Sequence, residues 1–172
     1  MKKKIKKAFS EKQIARRIAK LGADIRKDAG KSEVFLLGVL KGASLFLADL
    51  MRAIPGEVSY GYINVIREMA DTEIASAMEI DYLHWSDIRG KHVYLLKDVV
   101  STGVIESYLL QQLRQKNPTQ LKLVALVDRP ELRTVELDVD YRAFEADHRG
   151  VFVGYGLELV GKHANLPFIG RV

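Results

Sequence analysis

The segment HVYLLKDVVSTGVIESYLLQQLRQK, residues 92–116, contains the pattern that decides the fold. It opens with nine mainly apolar residues, HVYLLKDVV, which are typical of a strand buried on both faces of a parallel sheet. Ser101-Thr102-Gly103 follows, and VIESYLLQQLRQK then reads as a helix. The segment therefore predicts a strand that passes through a short polar turn directly into a helix.

Similar apolar runs occur on both sides of this segment. Upstream, EVFLLGVL (33–40) is followed by KGAS and by SLFLADLMRAI, which predicts a helix that ends near Pro55. EVSYGYINVI (57–66) predicts another strand, and LKLVALV (121–127) predicts one that ends at Asp128-Arg129-Pro130. Short apolar strands that alternate with helices indicate βαβ units. We therefore expect an α/β fold with a mostly parallel sheet.

The two ends of the chain carry further signals. Ser10 and Gln13 form a possible capping box for a helix that ends at Gly30. That helix carries one apolar stripe, formed by Ile14, Ile18, Leu21 and Ile25. Residues 67–80 have mixed signals and are assigned no structure, whereas VELDVDYRAF (135–144) and GVFVGYG (150–156) are strand-like. We expect a single domain with a small subdomain made from the two termini.

The composition is that of an ordinary globular protein and excludes several kinds of site. The 172 residues are 48% apolar and 28% charged, which suits one domain with a sizeable core. The chain has no cysteine, so disulfides, thiol catalysis and cysteine-ligated metal sites are excluded. No apolar run approaches the roughly 20 residues of a membrane span, and no export signal follows MKKKIKK. We expect a cytoplasmic protein with no membrane partner.

The positive charge is concentrated at the N-terminus. The net charge is +5, and five lysines lie within the first seven residues, so the remaining chain is neutral. A short lysine run is weak evidence for nucleic-acid binding and is more typical of a solvated terminus. We therefore do not expect nucleic acid as a partner.

Polar groups follow three of the predicted strands. These groups lie in Lys41-Gly42-Ala43-Ser44, in Lys97-Asp98 with Ser101-Thr102-Gly103, and in Asp128-Arg129-Pro130. In open parallel sheets, ligands bind beyond the carboxyl ends of the strands. The three segments are therefore candidates for one binding site.

The Ser101-Thr102-Gly103 turn suits a phosphate group. A strand that runs through this turn into a helix directs backbone N–H groups and the positive end of the helix at one point. Thr102 adds a hydroxyl donor, and Gly103 allows the backbone to come close to a ligand. The alternative is an ordinary strand-to-helix turn with a Ser/Thr cap, and the local residues by themselves favour that alternative.

Several segments, in the same order along the chain, resemble the purine phosphoribosyltransferases of the hypoxanthine-guanine type. The segments that carry this resemblance are LLGVLKGASLFLADL, DIRGKHVYLLKDVVSTG, LVDRPELR, VGYGLE and NLPFIGRV. Together they cover roughly residues 10–172. Each one alone is a weak signal, but the ordered set is fairly specific.

The resemblance implies both a fold and a reaction. The implied fold is a parallel core sheet flanked by helices, with a small hood formed by about residues 1–30 and 150–172. The implied reaction transfers phosphoribose from phosphoribosyl pyrophosphate to a purine ring nitrogen in purine salvage, with Mg²⁺ as the cofactor. It releases pyrophosphate and, from hypoxanthine or guanine, gives IMP or GMP. The resemblance also implies a homodimer or homotetramer.

The resemblance implies a role for particular residues. The residues that would bind pyrophosphate or the 5-phosphate are Lys41, Gly42, Ser101, Thr102, Gly103, Val104 and Ile105. The residues that would contact the purine are Arg129, Phe152, Val153 and Glu158. Asp98 would accept a hydrogen bond from a ribose hydroxyl, and Asp98 and Glu158 would serve Mg²⁺, directly or through water. Asp98 and Ser101 occupy the positions assigned to catalysis.

This chain departs from the family pattern at several of these positions. Lys97 replaces the first of two acidic residues, and Ser101 replaces the aspartate that usually helps to deprotonate the purine. Arg129 stands for a lysine, Ile105 for a threonine and Ala164 for an arginine. The family's aromatic residue usually lies earlier in the run than Phe152, and the family's Ser-Tyr pair is not found in residues 64–75.

Two hypotheses follow from the matches and the departures. The first is an active, divergent purine phosphoribosyltransferase, because the ordered motifs, Lys41-Gly42, Asp98, Thr102-Gly103 and the C-terminal segment are present. The second is a binding module on the same fold that senses a nucleotide or phosphoribosyl pyrophosphate, because Lys97, Ser101, Ile105 and Ala164 all differ from the family pattern. Turnover of a purine base separates the two hypotheses.

Overall fold

The computed structural model describes residues 4–67, 78–82, 87–147 and 150–172. Its helices are α1 (Glu11–Ala29), α2 (Ser44–Ala53) and α3 (Val104–Arg114), with a 3₁₀ turn at Pro130–Leu132. Its strands are β1 (Lys6–Phe9), β2 (Val34–Val39), β3 (Val58–Arg67), β4 (Met78–Tyr82), β5 (His92–Val100), β6 (Gln120–Asp128), β7 (Tyr141–Glu145), β8 (Phe152–Val153) and β9 (Ile169–Arg171).

The main sheet has six strands in the order β4-β3-β2-β5-β6-β7. Five of the strands run parallel to one another: β3, β2, β5, β6 and β7. The edge strand β4 pairs with β3 in the antiparallel direction. Leu95 of β5 pairs in register with Leu37 of β2 and with Leu123 of β6. The expected α/β fold with a mostly parallel sheet is confirmed.

Apolar side chains cover both faces of this sheet. Successive residues of a strand point to opposite faces, so Leu96 packs towards α1 and α2 whereas Leu95 packs towards α3. The stripe of α1 that the sequence indicated lies in the first of these two cores. The capping box of Ser10 and Gln13 is also present at the start of α1. The buried strands and the apolar stripe of α1 therefore pack together in the way that the sequence predicted.

A second, three-stranded sheet joins the two ends of the chain in the order β1-β9-β8. Lys6 and Lys7 lie in β1, and the Lys7 ammonium is 4.7 Å from the centroid of the Phe168 ring. Both lysines are exposed, as expected of a solvated terminus, although their backbone pairs with β9. Lys2 and Lys3 lie outside the described residues.

Three other sequence predictions had a definite outcome in the structure. In the strand-like segment 135–144, strand β7 begins only at Tyr141, and residues 135–139 lack regular structure. In the unassigned segment 67–80, β4 begins at Met78, and residues 68–77 lie outside the described residues. Within the described part of the chain, no helix is long and apolar enough to cross a membrane. The division into core and hood stays a prediction, and α1 packs on the main sheet.

A polar network fixes α1 at the edge of the sheet where the parallel strands begin. Asp28 near the end of α1 accepts hydrogen bonds from the Tyr94 hydroxyl at 2.9 Å, from Gln120 at 2.5 Å and from Lys122 at 3.3 Å. Burial raises the pKa of the Asp28 carboxyl, but these hydrogen bonds and the Lys122 charge outweigh burial and leave the pKa below its usual value of 3.8. The ionised carboxylate therefore stabilises the native state.

We expect Tyr94→Phe to lower the free energy of unfolding by about 1–2 kcal/mol at pH 7, because a partly buried hydrogen bond to a carboxylate is lost. The native pKa of Asp28 is depressed, so its contribution is complete above pH 3.8 and is lost as the pH falls through the lower native value. Urea denaturation at pH 7 and pH 3 should therefore show a smaller difference from wild type at pH 3.

Tyr60→Phe is a matched control for this substitution. Tyr60 is 52% exposed on β3, so its variant should stay within about 0.5 kcal/mol of wild type at both pH values. Equal losses in the two variants would contradict the proposed role of the Tyr94 hydroxyl.

Candidate active site at the carboxyl ends of the strands

A cavity of about 330 Å³ opens at the carboxyl edge of the main sheet. Its walls come from the ends of β2, β5 and β6 and from the segment before and after β8. The residues that line it are Lys41, Gly42, Asp98, Val99, Arg129, Gly150, Val151, Phe152, Gly156, Leu157 and Glu158. Six of the residues that the sequence indicated therefore lie around one cavity: Lys41, Gly42, Asp98, Arg129, Phe152 and Glu158.

Gly42 and Asp98 make the closest approach between two walls of this cavity. A Cβ atom at position 42 would collide with the Asp98 carboxylate and would lie 2.6 Å from its Cγ. Only glycine therefore fits at this position without movement of β5 or of the loop. The loop begins with a cis peptide bond between Leu40 and Lys41.

Each acidic residue of the cavity faces a lysine. The Lys41 ammonium lies 3.2 Å from Glu158, across the mouth of the cavity. The Lys41 side chain is 78% exposed, so this ion pair contributes little stability and leaves the lysine able to change partner. The second carboxylate, Asp98, forms an ion pair with Lys97.

Lys97 and Glu106 lie on opposite sides of the loop that follows β5. The Lys97 ammonium pairs with its chain neighbour Asp98. Glu106 lies in the first turn of α3 and is only 4% exposed. Burial raises the pKa of the Glu106 carboxyl, and the nearby Lys97 charge opposes that shift. Lys97 thus brings positive charge close to two carboxylates beneath the loop.

Residues 101–103 form a tight loop between β5 and α3. Gly103 is the residue before the helix and has a φ of 83°, a conformation that favours glycine. No side chain caps α3, since the Thr102 hydroxyl is 3.5 Å from the Val104 nitrogen and is a poor acceptor at that distance. The alternative of an ordinary turn with a Ser/Thr cap is therefore not supported.

The first two residues of α3 offer no polar side chain at this loop. Val104 is 41% exposed, and Ile105 packs against the core on the α3 face of the sheet. The hydroxyl groups available at the loop belong to Ser101, which is half-buried, and to Thr102, which is exposed. Backbone N–H groups therefore make up most of its capacity to bind an anion. None of residues 101–105 lines the cavity itself.

Arg129 and residues 150–153 form the opposite wall. The Arg129 guanidinium lies 5.6 Å from the centroid of the Phe152 ring and donates a hydrogen bond to the Gly150 carbonyl at 3.2 Å. Phe152 is 6% exposed, whereas the preceding Val151 is 46% exposed and also lines the cavity. The side chain best placed to cover a flat ligand is therefore Val151.

Two other predicted positions lie apart from the cavity surface. Val153 is fully buried, pairs with Gly170 in the small sheet and does not line the cavity, and its contact with a purine stays a prediction. Ala164 lies beside the cavity wall, where its carbonyl accepts a hydrogen bond from the Gly156 nitrogen at 2.9 Å. Its methyl side chain brings no charge to this wall.

Sequence reasoning missed five lining residues: Val99, Gly150, Val151, Gly156 and Leu157. For Val151 a signal was present, because the resemblance placed an aromatic residue earlier in the run than Phe152. The others are apolar or glycine residues with no chemical signature of their own. Among the described residues, no group of three or more His, Asp or Glu side chains could hold a metal ion.

The chain was compared with known protein families and structures. Residues 6–158 match the phosphoribosyl transferase domain. A hypoxanthine-guanine phosphoribosyltransferase from Streptococcus pneumoniae is 34% identical over 96% of this chain and 92% of its own length. One from Bacillus subtilis is 30% identical over 99% and 94%. A crystal structure of a Bacillus anthracis hypoxanthine-guanine phosphoribosyltransferase has a TM-score of 0.91 and 31% identity, covering 98% of this chain and 99% of that one.

We expect Gly42→Ala to lower the free energy of unfolding by about 1–3 kcal/mol, because the added methyl group overpacks the contact with Asp98. In an Asp98→Ala background, Gly42→Ala should cost at least about 1 kcal/mol less, because the free-energy changes caused by mutating two residues in contact are not additive. Chemical denaturation of the two single variants and the double variant measures this coupling. Equal costs in both backgrounds would contradict the inferred close approach.

Proposed function

This chain belongs to the phosphoribosyltransferase family, and we propose that its cavity transfers phosphoribose from phosphoribosyl pyrophosphate to a 6-oxopurine in purine salvage. The observation that carries this proposal is the meeting of Lys41, Asp98, Arg129 and Glu158 at one cavity. The cavity lies beside the loop of residues 101–103, which we call the phosphate loop. The relatives named above are hypoxanthine-guanine phosphoribosyltransferases. These relatives support the transferase and not the binding-only regulator, which rests on the departures at Lys97, Ser101, Ile105 and Ala164 alone.

The reaction exchanges one bond at the anomeric carbon of the ribose. A ring nitrogen of the purine bonds to that carbon, the bond from the carbon to the pyrophosphate oxygen breaks, and the purine nitrogen loses its proton. Positive charge develops on the sugar in the transition state. A protein accelerates such a step by fixing both reactants in line and by placing charges where the transition state needs them.

The loop at residues 101–103 is proposed to hold the 5-phosphate. Its backbone and the start of α3 can donate several N–H groups to one anion, and this capacity does not depend on side chains. The replacement of threonine by Ile105 therefore removes one donor without removing the site. Thr102 and Ser101 add hydroxyl groups at the same loop.

Lys41 and Gly42 are proposed to hold the pyrophosphate. Lys41 is mostly exposed at the mouth of the cavity, where its ammonium can leave Glu158 for a more highly charged phosphate. Gly42 brings the loop backbone against Asp98. Ala164 supplies no charge where the family pattern has an arginine, so we expect pyrophosphate to be held by fewer cations in this chain.

Arg129 is proposed to recognise the purine. A guanidinium donates hydrogen bonds to the 6-oxo group of hypoxanthine or guanine, whereas adenine presents an amino donor at that position. Phe152 supports the guanidinium from one side. Val151 is proposed to cover the purine ring in place of the family's aromatic residue, and Glu158 lies at the edge of the same wall.

The acidic residues of the cavity fit a Mg²⁺ ion. Mg²⁺ prefers oxygen ligands and is commonly bound through one or two carboxylates together with substrate phosphates. Asp98 and Glu158 provide two carboxylates on the walls of one cavity. The ion would supply neutralisation of pyrophosphate charge. Asp98 is also placed to accept a hydrogen bond from a ribose hydroxyl.

Ser101 occupies the position of the expected base. A hydroxyl can pass a hydrogen bond to a purine N–H through water, but it is not a carboxylate base at neutral pH. Loss of a general base typically slows a reaction by about 10²–10⁴-fold without abolishing it. We therefore propose a slower purine deprotonation than a carboxylate at this position would give.

Two further properties remain predictions for this chain. A homodimer or homotetramer is proposed from the family resemblance, and a cytoplasmic location is proposed from the sequence. For the related hypoxanthine phosphoribosyltransferase of Trypanosoma cruzi, the role of the C-terminal region in oligomeric state and activity has been studied.

We expect nucleotide to form from phosphoribosyl pyrophosphate and Mg²⁺ with hypoxanthine or guanine, and not with adenine. The assay offers hypoxanthine, guanine, xanthine and adenine separately. Arg129→Met should raise KM for the accepted purine by about tenfold, because a charged donor is lost at a desolvated site. Arg89→Met, at an exposed turn before β5, is the matched control. No turnover by the folded protein with any base would favour the binding-only alternative.

We expect Ser101→Asp to raise kcat by about tenfold or more, because it restores a carboxylate base to the loop. Ser101→Asn has nearly the same shape but no basic oxygen of this kind, so it should give no gain. Steady-state rates with saturating purine and phosphoribosyl pyrophosphate compare the three proteins. If the aspartate variant is no faster than the asparagine variant, the missing base does not limit the reaction.

A further inference from the structure

The carbonyl groups of residues 100–102, at the end of β5 and in the phosphate loop, point towards one neighbouring segment, residues 129–134. The Val100 carbonyl accepts a hydrogen bond from the Arg129 nitrogen at 2.9 Å and one from Arg133 Nη1 at 3.2 Å. The Ser101 carbonyl accepts from the same Nη1 at 2.6 Å. The Thr102 carbonyl accepts from the Thr134 nitrogen at 3.0 Å. Every carbonyl from residue 100 to residue 102 is thus held from the same side.

The direction of these carbonyls determines where the loop amides point. In a trans peptide, the C=O of one residue and the N–H of the next lie in one plane and point in opposite directions. The N–H groups of Ser101, Thr102 and Gly103 are therefore directed away from residues 129–134. No hydrogen bond joins these three amides to another described group of the protein. They remain available to an anion on the open side of the loop.

Arg133 makes two of the five hydrogen bonds from this segment to the loop, the fifth being a long one from the Thr134 hydroxyl to the Thr102 carbonyl at 3.5 Å, and its own position is fixed by a buried carboxylate. Its Nη2 pairs with Asp128, whose side chain is 3% exposed, and the Arg133 side chain is 14% exposed. The planar guanidinium can therefore hold Asp128 with one nitrogen and two loop carbonyls with another. Gly103 also packs on Arg133 and on the residues that follow this segment, since a Cβ at position 103 would lie 3.3 Å from Arg133 and 2.9 Å from Leu137.

Asp128 has a second arginine partner that does not contact the loop. Arg142 Nη1 lies 3.0 Å from the other carboxylate oxygen of Asp128 and 2.7 Å from Glu145. Both arginines thus neutralise the same buried carboxylate, but only Arg133 reaches the carbonyls of the phosphate loop. A comparison of variants at Arg133 and Arg142 can therefore distinguish neutralisation of Asp128, which both arginines provide, from positioning of the loop, which Arg133 provides.

We propose that Arg133 is a positioning residue for the 5-phosphate: it holds the loop carbonyls on one side so that the loop amides converge on the phosphate on the other. The inference rests on the proposed function, because it assigns the loop's ligand to phosphoribosyl pyrophosphate. Arg133 does not itself touch the substrate.

The test compares Arg133→Lys and Arg133→Gln with Arg142→Gln. Arg133→Lys keeps a positive charge beside the buried Asp128, so it is the variant that preserves the fold and decides the question. A lysine cannot reproduce the planar fork of donors. We expect either Arg133 variant to raise KM for phosphoribosyl pyrophosphate about tenfold, which is the effect of losing one charge-assisted hydrogen bond. KM for hypoxanthine should stay within about twofold of wild type, because Arg133 positions the phosphate loop and not the purine.

Direct binding provides a readout that does not depend on turnover. Calorimetric titration with guanosine 5′-monophosphate should give a Kd about tenfold weaker for the Arg133 variants and unchanged for Arg142→Gln. If wild-type protein neither binds this nucleotide nor forms product, the proposed function fails. If wild type binds and Arg133→Lys binds equally well, or if Arg142→Gln weakens binding as much, the positioning role of Arg133 is overturned.

Discussion

The parallel pairing of β2, β5 and β6 is the constraint on which the rest of the structure depends. Because the three strands run side by side in one direction, the segments that follow them meet at one edge of the sheet. Gly42 and Asp98 then lie in direct contact although 56 residues separate them in sequence. A side chain at position 42 would force these two segments apart, so the close approach of the strand ends and the shape of the cavity depend on the same glycine.

The charges around the cavity differ in arrangement from the family pattern. Lys97 replaces an acidic residue and pairs with Asp98, so one carboxylate is partly neutralised before any ligand binds. Ala164 brings no charge to the wall beside Gly156. The backbone of residues 101–103 does not depend on either side chain, because its capacity to bind an anion comes from peptide groups. The proposed phosphate site is therefore the part of the cavity region that depends least on side-chain identity.

Some features could be predicted from the sequence because they depend on local patterns. The strand HVYLLKDVV matches β5, and the capping box of Ser10 and Gln13 begins α1 as expected. Other features could not be predicted from local patterns. Strand β1 contains two lysines and forms only because β9 pairs with its backbone. Residues 135–139 alternate like a strand but pack beneath the phosphate loop, where Gly103 lies against Val135 and Leu137.

The sequence by itself determined the α/β class, the central strands and the segments that carry chemistry, because buried strands and helix stripes are periodic and polar turns interrupt them. Only the tertiary structure decided which of those residues meet. It placed Val151 on the cavity wall, paired Lys97 with Asp98, and set Arg133 against the carbonyls of the phosphate loop. Some of these contacts join residues that are distant in sequence, and the others depend on the direction in which a side chain points. Packing determines both, so no local pattern in the sequence encodes them.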